Sequence, residues 1–560
     1  MASGLGSRKL PFHEFRIRLL IIAMLAAHAA VAQQVQTRTK TPAPSSTKAA
    51  AQPNLTPQQE QGLRLLKAAA SASAGLQPDM HAFVLWQAAN AYSGIEPAKT
   101  SALLRQAFLT TQSIEVPPDD PTCGTVNFCV KGWLQQFILG EILTRSPKEA
   151  EELLPEAEAI IRPGIIAGLV DANISDKNLV HARELLSQAA DQPSYPFSSA
   201  SKLIEALPKE NSADRLAVFA EALDNFQQQG SMRAVGQSDF GSLISDTWEK
   251  LPADVVLDAV DKVLDEAKSR KGDQDWHMSM SEKGNSVSLN SIYEIRLFQL
   301  LQVLQALDPS QADSLLRDNA QARANLQRFP KGMAHPDSMT MGIGNPSTVD
   351  GGAQLKQQIE GQVQQRAQLV VDEASKDPQQ ALSDAMALPM SDPADFGSPR
   401  LSALESVARE SAKKDPKVAK AALDEIVKMA DQLPAKQGMS LTGLPDVYLT
   451  MGDVEGAKGA VKVLVKAAEK FYSEDTNPDD PNESFKGQWP SAVLWRTAVQ
   501  AAAKISPEMA EEIMTAIQDE DIAAFQKISY ASSLLGSPRA QLFMSTRHKG
   551  GTTSFTMTPP

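Results

Sequence analysis

The chain is short of cysteine, aromatic residues, basic charge and long apolar runs, and each shortage narrows what it can be. Cysteine occurs twice in 560 residues, at Cys123 and Cys129 in "CGTVNFC". That excludes a disulfide-stapled miniprotein, and the spacing is not the C-x-x-C of a redox or zinc site. The pair reads as one disulfide closing a small loop, worth ~2–3 kcal/mol, with a free reactive pair as the alternative. Aromatic residues make up 5% of the chain. With Ala and Leu abundant, that composition suits packed helices better than sheets. Lys and Arg number 54 against 67 Asp and Glu, a net charge of -13. An acidic chain argues against nucleic acid or anionic lipid as a partner, since both select basic surfaces. The sequence has no H-E-x-x-H, phosphate-binding glycine loop or nucleophile elbow, so no enzyme and no resident cofactor is expected.

One apolar run stands out, "LLIIAMLAAHAAVA" from Leu19, behind Arg8, Lys9, Arg16 and Arg18. It ends in small residues at Ala30–Ala32, the pattern of a signal peptide over 1–32 cleaved before Gln33. It falls short of the ~20 apolar residues that span a bilayer. No Cys follows it to carry a lipid, and no Arg-Arg pair precedes it. The expected mature protein is exported, periplasmic or extracellular, without a transmembrane segment. Losing those four basic residues and Glu14 takes the charge from -13 to -16. About 528 residues remain, too many for one globular core, so several domains or a repeat array are expected.

A recurring junction favours the array. In "KKDPKVAKAAL", Asp415 is a good N-cap and Pro416 occupies the first helical position, where its missing N–H costs nothing. Ala419 falls one turn in, small enough for a neighbouring helix to approach, and Leu423, Ile426 and Met429–Ala430 continue an apolar stripe. The same arrangement opens at Ser146, Asp308, Asp377 and Ser506. Eleven Asp/Glu/Ser-Pro pairs follow the signal and five carry Ala at the fifth position; Glu96-Pro97 carries Thr100 there. Asp377, Asp415 and Asp453 lie 38 residues apart, and Ser506 restores 38 once Ser473–Gly487 is set aside as a 15-residue insert. Asn173 and Asn211, each read as opening a helical segment, are also 38 apart. Such a period predicts an all-α fold, an α-solenoid of stacked helical hairpins.

Leu444, Tyr448, Gly452, Asp453 and Ala457 resemble the tetratricopeptide pattern over the end of one helix and the start of the next. "WQAANAYSGIEPAKTSALLRQAF", with Trp86 and Tyr92 on its first helix, is similar. The chain is therefore identified as tetratricopeptide-like over most of Leu63–Phe543, although its period is 38 where the family's is shorter. By that resemblance, such an array binds a protein or peptide and has no catalysis of its own.

Within each hairpin the helices meet in a tight turn, whereas the connections between hairpins include long ones. These are Thr110–Thr125, Gln227–Asp239, Ser269–Ser288, Lys331–Gly352, Pro389–Pro399 and Ser473–Gly487. In a stacked array they would emerge on one edge and mark its working face; mere tolerance of long surface loops is the plainer reading. Two of them are rich in Met and His. "DQDWHMSMSEKGNS" carries Trp276, His277, Met278 and Met280, and "KGMAHPDSMTMGIG" carries Met333, His335, Met339 and Met341. Thioether and imidazole groups suit Cu(I) or Ag(I), and the set resembles the Met/His/Trp sites of small periplasmic copper carriers. Against this, Met is ordinary gap-filler. In "DTNPDDPNES", Asp475, Asn477 and Asp479 alternate as in a Ca2+ loop, but Asp480 replaces the turn glycine and Lys486 the closing ligand. Glu483-Ser484 resembles the catalytic "ES" of lytic transglycosylases, without the surrounding lysozyme-like domain. His81 and His181 read as surface or interface residues of helices, without clustering with acids, and Trp86, Trp133, Trp248 and Trp495 as core.

The expected divisions are a Pro/Ala/Ser/Thr tether over 33–58, a first helical block over 59–330 and a Met/Gly-rich break over 331–352. A second block follows over 353–543, then a loose tail over 544–560.

Overall fold

The computed structural model describes residues 55–115, 130–229, 239–269, 276–282, 285–329, 338–343, 363, 366–390, 398–475, 489–536, 544–548 and 551–555, apart from positions 94 and 193. The expected signal segment, Cys123, Cys129, Met333, His335 and Glu483 lie outside these residues.

Helices form the framework, in keeping with the all-α expectation. They begin with α1 (Pro57–Ala72), α2 (Pro78–Tyr92) and α3 (Pro97–Thr111). There follow α4 (Val130–Arg145), α5 (Pro147–Leu153), α6 (Arg162–Ser175), α7 (Leu179–Ser187), α8 (Phe197–Ala206), α9 (Ser212–Gln229), α10 (Phe240–Thr247) and α11 (Ala253–Ser269). After strands β1 (Trp276–Glu282) and β2 (Asn285–Leu289) come α12 (Ile292–Leu307), α13 (Pro309–Asp318), α14 (Ala320–Arg328) and strand β3 (Ser338–Ile343). The rest comprises α15 (Pro378–Ala387), α16 (Pro399–Ser411), α17 (Pro416–Ala430), α18 (Leu444–Thr450), α19 (Val454–Asp475), α20 (Pro490–Ile505), α21 (Pro507–Ala516) and α22 (Glu520–Leu534). A last hairpin pairs β4 (Met544–His548) with β5 (Gly551–Phe555). No described helix is long and apolar enough to cross a membrane.

The recurring junction has one physical form. At Asp308, the N–H closes α12 by donating to Leu304 O at 2.7 Å, while the C=O opens α13 by accepting from Ala312 N at 3.1 Å. The carboxylate accepts from Ser310 N and Gln311 N, satisfying first-turn donors that have no partner within the helix. Asp377, Asp415, Ser146 and Ser506 repeat this geometry, and each accepts a backbone N–H on its side chain. In all five, the fifth-position alanine donates its N–H to the cap carbonyl. Ala150, Ala312, Ala381, Ala419 and Ala510 are all buried, so a larger side chain there would push the hairpin apart. At Asp453 the proline is missing, and Gly452 turns the chain with a φ of 76°.

Consecutive helices pack on one another along the chain, and the contacts divide it into two compact units. One spans Glu115–Val349; the other combines Ser46–Ile114 with Asp350–Pro560. This departs from the contiguous block expected over 59–330, because α1 and α2 pack against α22 within the second unit. Leu63, Leu66 and Ala69 of α1 share an apolar cluster with Ala524, Ile528, Ala531 and Leu535. The approach is close: a Cβ added at Gly62 would lie 3.0 Å from Ala531 O. Phe83 of α2 packs on Phe525 at 5.3 Å between ring centroids.

Three expectations about local structure are corrected. Both Met-rich connections contain strands, forming an antiparallel sheet of order β2-β1-β3. The tail expected to be loose carries β4 and β5, paired from Met544↔Phe555 to His548↔Gly551; its Thr-rich stretch suits a strand. Asn173 does not open a helix. It lies in the last turn of α6, its side chain donating to Leu169 O. Termination comes at Lys177, whose φ of 61° breaks the helical run.

Candidate metal face and polar clusters

The sheet in the first unit brings the two Met-rich segments side by side. In the backbone register of β1 with β3, Met278 stands opposite Met341 and Met280 opposite Met339. Trp276 faces Ile343, and His277 faces Gly342. Because strand positions alternate between faces, the four methionine positions share one face and His277 occupies the other. The Met/His set proposed from sequence is therefore divided by the pleat. On β2, Val287 pairs with Met280 and Leu289 with Met278. Both are buried, in a cluster with Ala267, Ile292, Ile295, Phe298 and Phe329. The methionine positions thus lie on the face that continues an apolar core, while the other face carries Ser279, Ser281, Ser286, Ser288, Ser338 and Thr340.

The turn from β2 into α12 is held by local polar contacts. Ser291 caps α12 by accepting from Glu294 N at 3.1 Å, and Glu294 accepts from Asn290 N at 2.7 Å. This reciprocal pair fixes the angle at which the sheet leaves the helix.

Nearby, α10 and α12 are joined by charge. Arg296, 1% exposed, donates to Asp239, 2% exposed. Gln299 donates to Asp239 at 3.1 Å and to the Ser242 hydroxyl at 2.9 Å, and accepts from Arg296 at 3.0 Å. Asp239 also caps α10, accepting from Ser242 N at 2.8 Å. Gly241 leaves room for this network, since a Cβ there would be 2.3 Å from Gln299 Oε1. An ion pair so buried holds only when its remaining hydrogen-bonding capacity is met, and these polar neighbours supply much of it.

His181 corrects the expectation that the helical histidines stand apart from acids. It bridges α5 and α7, with Nε2 3.0 Å from Glu151 and Nδ1 3.1 Å from Glu184. The Glu151 contact, followed by Glu184, raises its pKa above the ordinary 6.5. His81 moves the other way, lowered by burial. Arg183 pairs with Glu221 at 2.8 Å, and Tyr195 donates to the same carboxylate at 3.1 Å. Burial, followed by Glu221, raises the Tyr195 pKa, so it stays protonated and can donate.

In the second unit, Arg409, Ala412, Gly443, Asp446, Val447 and Thr450 line a half-open groove of about 250 Å³. Its charges are matched within the chain, Arg409 with Glu405 at 2.5 Å and Asp446 with Lys504 at 2.6 Å. That makes it a poor cradle for a charged ligand. Trp86 and Trp495 are buried as expected, whereas Trp133 and Trp248 are partly exposed. Leu444, Tyr448 and Ala457 are buried, and Asp453 caps α19 by accepting from Gly456 N at 2.8 Å.

No family model matches the chain, and no curated protein matches it. The class that the structure defines is a helical protein built of consecutive hairpins, with small antiparallel sheets attached.

Proposed function

We propose that the protein is an exported, non-catalytic helical-repeat scaffold that binds a protein or peptide partner through the long connections between its hairpins. Each unit would be a tetratricopeptide-like stack with a period near 38, as the spacing of Asp377, Asp415 and Asp453 suggests. The observation that carries this reading is an asymmetry between the two kinds of connection. At three hairpins a single residue, Ser146, Asp308 or Ser506, separates the two helices, and Asp377 and Asp415 cap their second helices in the same way, while the longest segments all fall between hairpins. Loops of that kind concentrate binding residues because a rigid framework presents them. The signal-like N-terminus, the acidic charge and the Cys123–Cys129 staple fit an extracytoplasmic setting.

Crosslinking in the envelope fraction of the source cells tests this. The full chain is compared with one in which residues 391–397 and 476–487 are replaced by short Gly-Ser linkers. The expected result is a defined polypeptide crosslinked to the native chain and lost from the variant, with helical content unchanged. Equal recovery from both, or recovery from neither while both fold, overturns the loop-binding reading. Turnover of peptidoglycan abolished by Glu483→Gln would replace it with the enzyme alternative.

A further inference from the structure

We infer that Met390 is a site of reversible oxidation to the sulfoxide by a peroxide, and that the sulfoxide tightens a tie between the two ends of the connection from α15 to α16. The site stands on its own geometry; only its bearing on partner binding rests on the scaffold reading.

Accessibility selects the residue first. Met390 lies just past α15 and is 40% exposed, and Met386, in the last turn of that helix, is 39% exposed. Met80 and Met514 are buried, and Met429, Met451 and Met509 are partly buried against the core of the second unit. An oxidant must touch the sulfur to oxidise it, so exposure sets the order of attack. Of these methionines, Met386 and Met390 are the two that a peroxide in solution reaches first.

A hydroxyl separates the two. Ser398, 1% exposed, donates from Oγ to Met390 Sδ at 3.6 Å, whereas Met386 makes no hydrogen bond among the described residues. Ser398 occupies the N-cap of α16, where its C=O accepts from Ser402 N at 2.9 Å but its side chain accepts from no first-turn N–H. The hydroxyl is thus committed to sulfur. A thioether is a weak acceptor, and a buried donor held by a weak partner keeps part of its desolvation cost.

Oxidation supplies the stronger partner. A sulfur lone pair attacks one oxygen of hydrogen peroxide. The O–O bond breaks, an S–O bond forms, and the other oxygen takes up the proton of the transferred one and leaves as water. Sulfur loses two electrons and the peroxide gains them. The new oxygen carries partial negative charge and accepts from a hydroxyl far better than the thioether does. A sulfoxide usually disrupts its surroundings, because it sets a polar group against apolar neighbours. At Met390 the side chain is partly in solvent and a buried donor already stands beside the sulfur. The product therefore holds Ser398, and with it the start of α16, more firmly than the thioether.

Mild hydrogen peroxide treatment of the full mature chain, followed by tandem mass spectrometry of its tryptic peptides, tests the site. Met386 and Met390, both within the peptide 377–400, should oxidise at least about tenfold faster than Met80 and Met514. Amide hydrogen exchange at Ser402 should slow at least about threefold on oxidation, and recover after treatment with methionine sulfoxide reductases. Met386→Leu should keep that response. Met390→Leu keeps apolar volume and should abolish it, so any change the two chains share belongs to other methionines. Ser398→Ala should also abolish it while Met390 still oxidises; should that variant fail to fold, Met390→Leu carries the comparison. Met390 oxidised no faster than Met80, exchange at Ser402 unchanged or faster after oxidation, a response kept in folded Met390→Leu or Ser398→Ala, or one lost with Met386→Leu would each overturn the assignment.

Discussion

The two units close a helix against a distant neighbour in opposite ways. In the first, α10 and α12 meet across a buried ionic seam in which Asp239 is gripped by Arg296, Gln299 and the first turn of α10. In the second, α1 and α22 meet across an apolar seam of Leu, Ile and Ala residues, brought close by Gly62. The contrast separates two costs. An ionic seam is specific because each charge needs its partner, and removing one leaves the other stranded. An apolar seam tolerates exchange of like for like and fails when volume is added.

The largest expected effect comes from breaking the ionic seam. Arg296→Met should cost about 3–5 kcal/mol in urea denaturation, because Asp239 is left buried without its cation. The Arg296→Met, Asp239→Asn double variant should recover most of that loss, since an amide still offers an oxygen to cap α10. A double variant no more stable than the single one would mean that the seam stabilises through packing and not through charge.

Overfilling the apolar seam ranks second. Gly62→Val should destabilise by about 1–3 kcal/mol, as its side chain meets Ala531 O, Leu534 and Leu535. The same denaturation curves check this; unchanged stability would show that α1 shifts on α22 without cost.

The smallest effect concerns an ionic contact at the surface. His181 has a pKa raised above 6.5 by Glu151 and Glu184. Its contribution is therefore fully present below 6.5 and lost as the pH rises through the raised value. His181→Ala should lower stability at pH ~5.5 and leave it unchanged at pH ~8.5, with a modest difference because the group is partly solvated. A pH-independent difference would assign the contact to packing.

The helical junctions were the most legible part of the chain, because every component acts locally. An acceptor side chain, a proline and a small residue within five positions specify a cap whichever neighbours surround it, as Asp308, Asp415 and Ser506 illustrate. The strands were written just as openly, in the alternation of "WHMSMSE" against "SMTMGI". Their composition masks them: Met and His invite a reading as ligands in loops, and the two strands are separated by α12, α13 and α14. The sheet register then resolved what the sequence left open, dividing His277 from its neighbouring methionines. The docking of α1 on α22 was not legible at all. An apolar stripe such as Leu63, Leu66 and Ala69 declares that one helical face is buried, and says nothing about a partner more than 450 residues away. The His181 contacts were hidden similarly, since Glu151 lies 30 residues earlier.

The single-residue junctions have a consequence for altering the chain. At Asp308 or Ser506 one residue ends a helix and starts the next, so there is no spare backbone to absorb a change in length. Each residue added to a helix turns everything beyond it by about 100°, which would swing the buried alanine of the following turn away from its neighbour. Insertions and deletions within these hairpins are thus forbidden by geometry. Affinity tags, fluorescent reporters or permuted termini belong in the connections between hairpins, where length is free to vary.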